Sequence, residues 1–188
     1  MAGPVTAAAA FIPLASHTHL KEVNDSKQLS EKKREMLLSV MRASGVRFGF
    51  GFASPREIDG LNILNAAFTA MSRAVSRLTA ELGAAETDTL VLVDGPHKIR
   101  GLVRPQEAVV DGDARSLSIA AASIFAKVIR DRWMLALDRR WPGYGLAVHK
   151  GYGTKAHMEF LNGLGPCPEH RLSFAPVRRA LAARAGTA

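Results

Sequence analysis

The chain has 188 residues, of which 47% are hydrophobic and 22% charged, a composition that fits one globular domain and excludes a disordered chain. Its 25 Lys and Arg against 17 Asp and Glu give a net charge of +8, which favours a polyanionic partner such as nucleic acid. No apolar run reaches the roughly 18 residues that span a membrane, and the single cysteine, Cys167, excludes an internal disulfide and favours a cytoplasmic setting.

The first predicted elements are a strand and a helix. Residues 5–11 are apolar and alternate as in a buried strand, and a secretory signal is the weaker alternative because no basic residue precedes them. Ser30 caps a helix predicted over residues 31–43, which Gly45 ends. The apolar residues of this helix recur at helical spacing: Met36, Leu37, Val40 and Met41.

A second strand and a long helix follow. The strand is predicted over residues 46–52, with phenylalanines on one face and two glycines on the other. Ser54 and Pro55 introduce one long helix over residues 58–82, which Gly83 ends. The predicted apolar face of that helix contains Leu61, Leu64, Phe68, Met71, Val75, Leu78 and Leu82.

The second half of the chain alternates strands with helices. Residues 89–93 are apolar and predict a strand buried on both faces, and residues 106–110 predict another strand. A helix over residues 116–140 stops before Pro142, a glycine-rich loop covers residues 143–154, and helices follow at 155–164 and after Pro176. This order predicts an α/β layer fold with a mixed sheet.

Two aspartates are candidate site residues. Asp94 comes where the apolar strand ends, which is where sites gather in α/β sheets, although a turn aspartate bonded to its own backbone is an equal alternative. Asp131 interrupts an apolar helix stripe and is costly there unless it is paired or bound to a cation. The spacing alone favours an ion pair of Asp131 with Lys127 or Arg132.

The segment HKGYGTKAH at residues 149–157 is the third candidate. Lys150 and Gly151 can approach a phosphate, Tyr152 offers a ring to a sugar or base, and Thr154 caps the next helix. A plain surface loop is the alternative. Earlier in the chain, Lys27 either contacts a phosphate or lies in a solvated turn.

Seven segments, in order along nearly the whole chain, together resemble ribonuclease HII, the type 2 ribonuclease H. They are AGPV (2–5), DSKQLSEKKRE (25–35), EIDGLNIL (57–64), LVLVDG (90–95), GDARSLSIAAASIFAKVIRDR (112–132), PGYGLAVHKGYGTKAH (142–157) and HRLSFAPV (170–177). The ordered set is specific where any single segment is not. The resemblance makes nucleic acid the expected partner and Asp131 an expected site residue.

The resemblance implies a ribonuclease H-like α/β fold, with a mixed central sheet flanked by helices and a helical C-terminal part from about residue 142. It implies one catalytic domain over residues 1–188, a cytoplasmic monomer with no membrane partner. The implied enzyme is a metal-dependent endoribonuclease that hydrolyses the RNA strand of RNA–DNA hybrids and nicks duplex DNA at embedded ribonucleotides.

The resemblance also implies the roles of particular residues. Asp94 and Asp131 match two of the family's four catalytic carboxylates, which hold two Mn²⁺ or Mg²⁺ ions. Tyr152 matches the residue at the ribose–deoxyribose junction. The further expected substrate contacts are Lys27, Lys150, Gly151 and Thr154.

The sequence departs from the family pattern at its start. Family members begin with a strand ending in an Asp-Glu pair and then a Gly-Arg-Gly turn, before the stretch that matches residues 2–5. The first, central strand and two carboxylates therefore have no counterpart here. One hypothesis is that the start at Met1 is misplaced, and a stop codon upstream before any Asp-Glu pair would contradict it. The alternative function is a catalytically incomplete remnant that still binds nucleic acid.

Overall fold

The computed structural model describes residues 1–20, 22–23, 26, 29–83 and 89–185. The strands are Val5–Phe11 (β1), Arg47–Ala53 (β2), Val91–Asp94 (β3) and Gln106–Val109 (β4). The helices are Glu31–Ala43 (α1), Pro55–Leu61 (α2), Ile63–Leu82 (α3), Gly112–Arg115 (α4), Leu117–Arg140 (α5), Leu146–His149 (α6), Lys155–Leu164 (α7) and Ala175–Ala185 (α8). In these ranges no helix combines the length and the apolarity that crossing a membrane requires.

The strands pair as two sheets of two strands each, β1 with β2 and β3 with β4. Strands β3 and β4 are parallel, with Val91 opposite Gln106 and Asp94 opposite Val109. Among the described residues no ladder joins the two sheets. The prediction that the β3 segment is buried on both faces is wrong, because Leu90 and Leu92 are exposed.

The chain divides into two compact units, each built from separate stretches of sequence. The first unit comprises Met1–Val5, Ala53–Ala66 and Ile129–Ala188, and the second comprises Thr6–Phe52 and Ala67–Val128. The single catalytic domain expected from the sequence stays a prediction. Each unit has a hydrophobic core of its own, around Met134 and Leu146 in the first and around Phe68 and Val93 in the second.

The capped helix α1 confirms the sequence prediction at both ends. The Ser30 hydroxyl accepts a hydrogen bond from the backbone N–H of Lys33 at 3.2 Å, and Gly45 follows the helix with a φ of +80°. The buried residues of α1 are Arg34, Leu37, Leu38 and Met41. Met36 and Val40 are exposed instead. The apolar residues of α1 extend over more of the helix surface than the side that packs against the protein.

Glycines in β2 determine how closely α3 packs against the sheet. A Cβ atom on Gly49 would lie 2.0 Å from the carbonyl oxygen of Ala74, and one on Gly51 would lie 2.0 Å from that of Ala70. The backbone of α3 therefore lies directly on the glycine face of the strand. The predicted alternation of glycine and phenylalanine is confirmed, since Gly49 and Gly51 are buried and the phenylalanines between them are less so.

The single helix expected over residues 58–82 is wrong, because the chain breaks at Asn62. Asn62 has a φ of +67°, a left-handed conformation that asparagine adopts more readily than most residues. Its Oδ1 accepts hydrogen bonds from the N–H groups of Leu64 at 3.0 Å and Asn65 at 3.1 Å, which begins α3 anew. Leu61 and Leu64 beside the break are exposed, and the buried face of α3 begins at Ala66.

Candidate active site

The loop at residues 149–154 contains two consecutive residues with a positive φ. Lys150 has a φ of +49° and Gly151 a φ of +77°. A Cβ atom on Gly151 would lie 2.4 Å from the carbonyl oxygen of Ala2, so only glycine fits at this position. The N–H of Ala2 in turn donates to the carbonyl oxygen of Gly151 at 3.2 Å. The ring of the next residue, Tyr152, is 57% exposed.

We expect Gly151→Ala to lower the free energy of unfolding by about 1–3 kcal/mol, because the methyl group meets backbone and the residue keeps a left-handed φ. Gly153→Ala is the matched control, since the nearest atom to its Cβ, a methionine sulfur, is 3.6 Å away. Urea unfolding followed by circular dichroism measures both variants. Equal stabilities would contradict the close approach at Gly151.

Two stacked histidines hold the backbone on either side of Tyr152. The Nε2 of His149 donates to the carbonyl oxygen of Tyr144 at 2.7 Å, and its Nδ1 accepts from the N–H of Gly151 at 3.2 Å. The Nδ1 of His157 donates to the carbonyl oxygen of Tyr152 at 2.8 Å. The two ring centroids are 4.0 Å apart with an angle of 11° between planes. Both rings therefore hold the loop in place through hydrogen bonds to its backbone.

A third histidine completes this network. The Nε2 atoms of His157 and His170 are 3.1 Å apart. Because the proton of His157 is on Nδ1, its Nε2 accepts and the Nε2 of His170 donates, while the Nδ1 of His170 accepts from the N–H of Cys167 at 3.0 Å. Burial lowers the pKa of both His157 and His170 to about 4. The hydrogen bonds of His157 and His170 described above are therefore formed with both rings neutral.

We expect the free energy of unfolding to decrease as the pH falls from about 6.5 to about 4. In this window the unfolded chain protonates His157 and His170, whose ordinary pKa is 6.5, whereas the folded protein resists protonation. Above this window His157 and His170 are neutral in both the folded and the unfolded protein, so their full contribution to the free energy of unfolding is present. In His157→Asn, the decrease in the free energy of unfolding across this pH window should be smaller by roughly 1 kcal/mol or more.

Urea unfolding at a series of pH values measures this slope. The exposed His97 supplies the control, because His97→Asn should keep the slope of the unmodified protein. A slope that His157→Asn leaves unchanged would show that the network does not carry the pH dependence.

A half-buried arginine, Arg130, and a buried one, Arg171, lie against the same loop. The guanidinium of Arg130 donates to the carbonyl oxygens of Lys150, at 3.1 Å, and Pro4, and its Cζ lies 5.9 Å from the centre of the Tyr152 ring. Arg171 donates to the Pro4 carbonyl oxygen at 3.4 Å. Burial lowers the pKa of Arg171 to about 10, and the charge of Arg130 adds to that shift. The loop therefore lies in a positive field, favourable for an anion.

The predicted substrate residues are placed as follows. Lys150, Gly151, Tyr152 and Thr154 come together in this one loop, and the Thr154 hydroxyl accepts from the N–H of His157 at 3.2 Å, which confirms it as the cap of α7. The loop predicted over residues 143–154 also contains the one-turn helix α6. Lys27 lies outside the described residues.

Asp94 ends β3 and is exposed. Its Oδ1 accepts a hydrogen bond at 3.0 Å from the N–H of Gly112, which opens α4 after the neighbouring strand. The bond therefore crosses to a residue 18 positions along the chain, and Asp94 is not the turn aspartate of the alternative interpretation. Its Oδ2 has no hydrogen-bond partner in the described ranges and remains available to a ligand.

Asp131 is only 3% exposed on α5. Burial lowers the pKa of the adjacent Arg130, and the charges of Tyr152 and Asp131 oppose that shift. The opposite charge of a half-buried guanidinium nearby lowers the cost of burying the Asp131 carboxylate. The role of Asp131 as a metal ligand stays a prediction.

Asp94 belongs to the second unit and Asp131 to the first. Across the residues that the structure describes, no group of three or more His, Cys, Asp or Glu side chains could hold a metal ion. Two carboxylates are few oxygen ligands for two divalent ions. The described residues therefore do not by themselves make up the expected two-ion site, and the Mn²⁺ or Mg²⁺ dependence stays a prediction.

Sequence reasoning missed the residues that support the loop: Arg130, His149, His157, His170 and Arg171. Histidines at both ends of HKGYGTKAH were the available signal, but their burial depends on residues far away in sequence. In a basic chain, the residues around an arginine do not indicate whether its side chain is buried.

Solved ribonuclease structures share this fold. The PCNA:RNase HII complex from Archaeoglobus fulgidus contains a chain similar to this one, with a TM-score of 0.68 and 24% identity over 91% of this chain and 86% of that one. Bst-RNase HIII in complex with Mn²⁺ matches with a TM-score of 0.72 and 21% identity over 97% of this chain and 65% of that one. The class is thus a ribonuclease H-like α/β fold, as predicted.

Sequence similarity is closer and identifies the family. The family model described as Ribonuclease HII matches residues 1–177. Ribonuclease HII of Syntrophotalea carbinolica is 48% identical over 181 residues, which cover 96% of this chain and 82% of that protein. This chain belongs to the ribonuclease HII family, whose members are nucleases that degrade RNA in RNA–DNA hybrids.

Proposed function

We propose that this chain is an endoribonuclease that hydrolyses the RNA strand of RNA–DNA hybrids and nicks duplex DNA at embedded ribonucleotides, with Mn²⁺ or Mg²⁺ ions as cofactors. The family supplies the reaction class. The observation that carries the substrate assignment is Tyr152, an exposed ring on a loop whose backbone is fixed on both sides.

A fixed aromatic ring suits the recognition of a sugar. Stacking or edge contact with a ring discriminates between ribose and deoxyribose only if the ring cannot move away from the 2′-hydroxyl. His149 and His157 hold the backbone beneath Tyr152, and the Cζ of Arg130 lies 5.9 Å from the centre of the Tyr152 ring. We infer that this anchoring serves junction recognition, while Lys150 and the net charge of +8 favour the phosphates.

Asp94 and Asp131 are the proposed catalytic carboxylates. The Oδ2 of Asp94, which has no hydrogen-bond partner among the described residues, supports its part in the proposal. The cost of burying Asp131 supports the other part. We further propose a monomer that acts in the cytoplasm.

A cleavage assay tests this function. The chain is incubated with Mn²⁺ and a DNA duplex that contains one ribonucleotide, with an all-DNA duplex as control. Metal-dependent nicking confined to the first duplex supports the proposal. Salt-sensitive binding of both duplexes without cleavage supports the alternative, a nucleic-acid-binding remnant, because phosphate contacts weaken steeply with salt.

We expect Tyr152→Ala to reduce discrimination between the ribonucleotide duplex and its all-DNA control by roughly 10-fold or more, on the scale of one lost stacking contact. Tyr152→Phe should retain most of it, since the ring stays and only the hydroxyl contact is lost. The control is Val148→Ala, at a neighbouring residue that is also exposed. Cleavage at the same position with the same preference in Tyr152→Ala would contradict junction recognition.

A further inference from the structure

Two arginines of α3 lie along the outer edge of β2. The guanidinium of Arg73 donates a hydrogen bond to the carbonyl oxygen of Phe52, and that of Arg77 donates to the carbonyl oxygen of Phe50, each at 2.7 Å. In the described part of the chain β2 pairs with β1 alone. A guanidinium cannot enter the ladder between two paired strands, so both arginines contact the edge of β2 that faces away from β1.

The geometry of the helix and of the strand makes this contact repeat. Residues four apart in a helix are separated by about 6 Å along its axis, and residues two apart in a strand by about 6.6 Å. Arg73 and Arg77 are four positions apart and their acceptors two positions apart, so the helix stays in step with the strand. One turn further along α3, the carboxylate of Glu81 accepts a hydrogen bond from the Nε of Arg47 at 2.8 Å.

The glycines of β2 bring the arginines within reach of the edge. Because Gly49 and Gly51 allow the backbone of α3 to lie directly on the strand, side chains on the flank of the helix extend past the strand to its carbonyl oxygens. A larger residue at either glycine would lift α3 and carry the guanidinium groups away from these acceptors.

The strand β2 is otherwise well suited to pair with another strand. Its sequence is RFGFGFA, in which neither a proline nor an acidic residue interrupts the phenylalanines. Exposed edges of long apolar strands are templates for edge-to-edge association, and charged side chains on the edge prevent it. A carbonyl oxygen that already accepts a charge-assisted hydrogen bond is a poorer acceptor for an incoming strand, and positive charges on two such edges repel each other.

We propose that Arg73 and Arg77 close the outer edge of β2 to a second copy of this chain. Pairing two β2 edges would bring the arginines of both copies together and would displace them from the carbonyl oxygens that they bind. Without these arginines, an open apolar edge should pair with itself. The closed edge rests on the proposed function only in that the chain acts as a monomer, and it names the residues that keep it so.

The double variant Arg73→Met/Arg77→Met tests the closed edge, because the side-chain stems remain and the guanidinium groups are lost. Arg178→Met/Arg179→Met is the matched control, since both of these arginines are exposed on α8 and the change in charge and composition is the same. Sedimentation velocity over a series of protein concentrations measures association, and circular dichroism checks folding. We expect the first variant to self-associate at least about tenfold more tightly than the control. Equal behaviour of the two variants would overturn the proposal.

The single variants Arg73→Met and Arg77→Met are milder forms of the same change and serve if the double variant does not fold. Each leaves one of the two carbonyl oxygens covered. Each should self-associate more tightly than the control double variant and less tightly than Arg73→Met/Arg77→Met. Single variants that remain as monomeric as the control at every concentration would contradict a closing role for the arginines.

Hydrogen exchange identifies the surface that associates. The N–H and C=O groups of one strand residue point to the same edge, so the amides of Phe48, Phe50 and Phe52 lie on the edge that the arginines cover. Exchange at these amides should slow with rising concentration of Arg73→Met/Arg77→Met and not of the control. Association that protects other residues instead would overturn the proposal.

The unmodified protein separates this proposal from the proposed monomer. If it self-associates while the exchange of the Phe48, Phe50 and Phe52 amides does not depend on concentration, the monomer is wrong and the closed edge stands. If it self-associates and these amides become protected, both are wrong. Neither measurement uses a substrate, so a failure of the cleavage assay leaves the outcome unaffected.

Discussion

We expect the replacement of Asp94 with asparagine to lower the rate of cleavage by at least about a hundredfold, the scale of several kcal/mol that carboxylates contribute at nuclease sites. The asparagine amide has nearly the same shape, and its oxygen can still accept the hydrogen bond from the N–H of Gly112 that holds the side chain in place. The variant therefore removes the charge at Oδ2 and little else. Cleavage rates on a duplex with one ribonucleotide, measured under single-turnover conditions, give the loss directly.

Asp131→Asn should cost less activity than Asp94→Asn, since Asp94 is exposed on a strand end whereas Asp131 is buried on a helix. It should also lower the free energy of unfolding, because it removes a negative charge that stabilises the half-buried guanidinium of Arg130. The control is Glu107→Gln, which removes an exposed carboxylate from β4 and should leave the rate unchanged. Equal losses for the two aspartates, or a loss for Glu107→Gln, would count against the ranking.

The largest stability effect is expected for Gly51→Ala. The new methyl group would lie 2.0 Å from the carbonyl oxygen of Ala70 and 2.7 Å from the amide nitrogen of Ala74, both atoms of the α3 backbone. A helix backbone cannot move aside as a flexible side chain can, so α3 must shift away from the sheet. We expect a loss of about 3 kcal/mol in the free energy of unfolding, the upper part of the range for overpacked cores.

Gly60→Ala tests whether the effect comes from the contact or from the residue type. Gly60 lies in α2 and is exposed, and a Cβ atom added to it would have no neighbouring atom within 4 Å. Alanine should stabilise that helix by roughly 0.5–1 kcal/mol. Urea unfolding curves for the two variants should thus move in opposite directions, and a parallel destabilisation would contradict the close packing of α3 on β2.

Local signals in the sequence predicted much of the fold. Ser30 and Thr154 cap the helices that they were expected to cap, and the alternation in residues 47–53 gives a strand. Ser54 is also a helix cap, but of the short helix α2 rather than of the long helix that was expected. These features depend on a few neighbouring residues, which is why pattern reasoning finds them. The break at Asn62 escaped it, because the apolar spacing continues across a residue that happens to adopt a left-handed φ.

The candidate site was predictable in part. The segment HKGYGTKAH indicated a glycine-rich loop with Tyr152, and residues 150–154 of this segment do form one loop between α6 and α7. The support beneath the loop was not predictable, since the proton positions of His157 and His170 follow from contacts between residues 13 positions apart. Which acidic residues act together is likewise a tertiary property, and the roles of Asp94 and Asp131 remain predictions.

The interleaving of the two units affects the order in which they can form during synthesis. The second unit uses residues 6–52 and 67–128, so its segments are all available once the chain has been made to about residue 128. In the first unit, Ala2 bridges to His170 and the N–H of Arg171 bonds the carbonyl oxygen of Met1. These contacts close loops of nearly the whole chain, which is slow and entropically costly. The second unit can therefore fold as the chain emerges from the ribosome, while the Tyr152 loop acquires the support of His170 and Arg171 only after residue 171 has emerged.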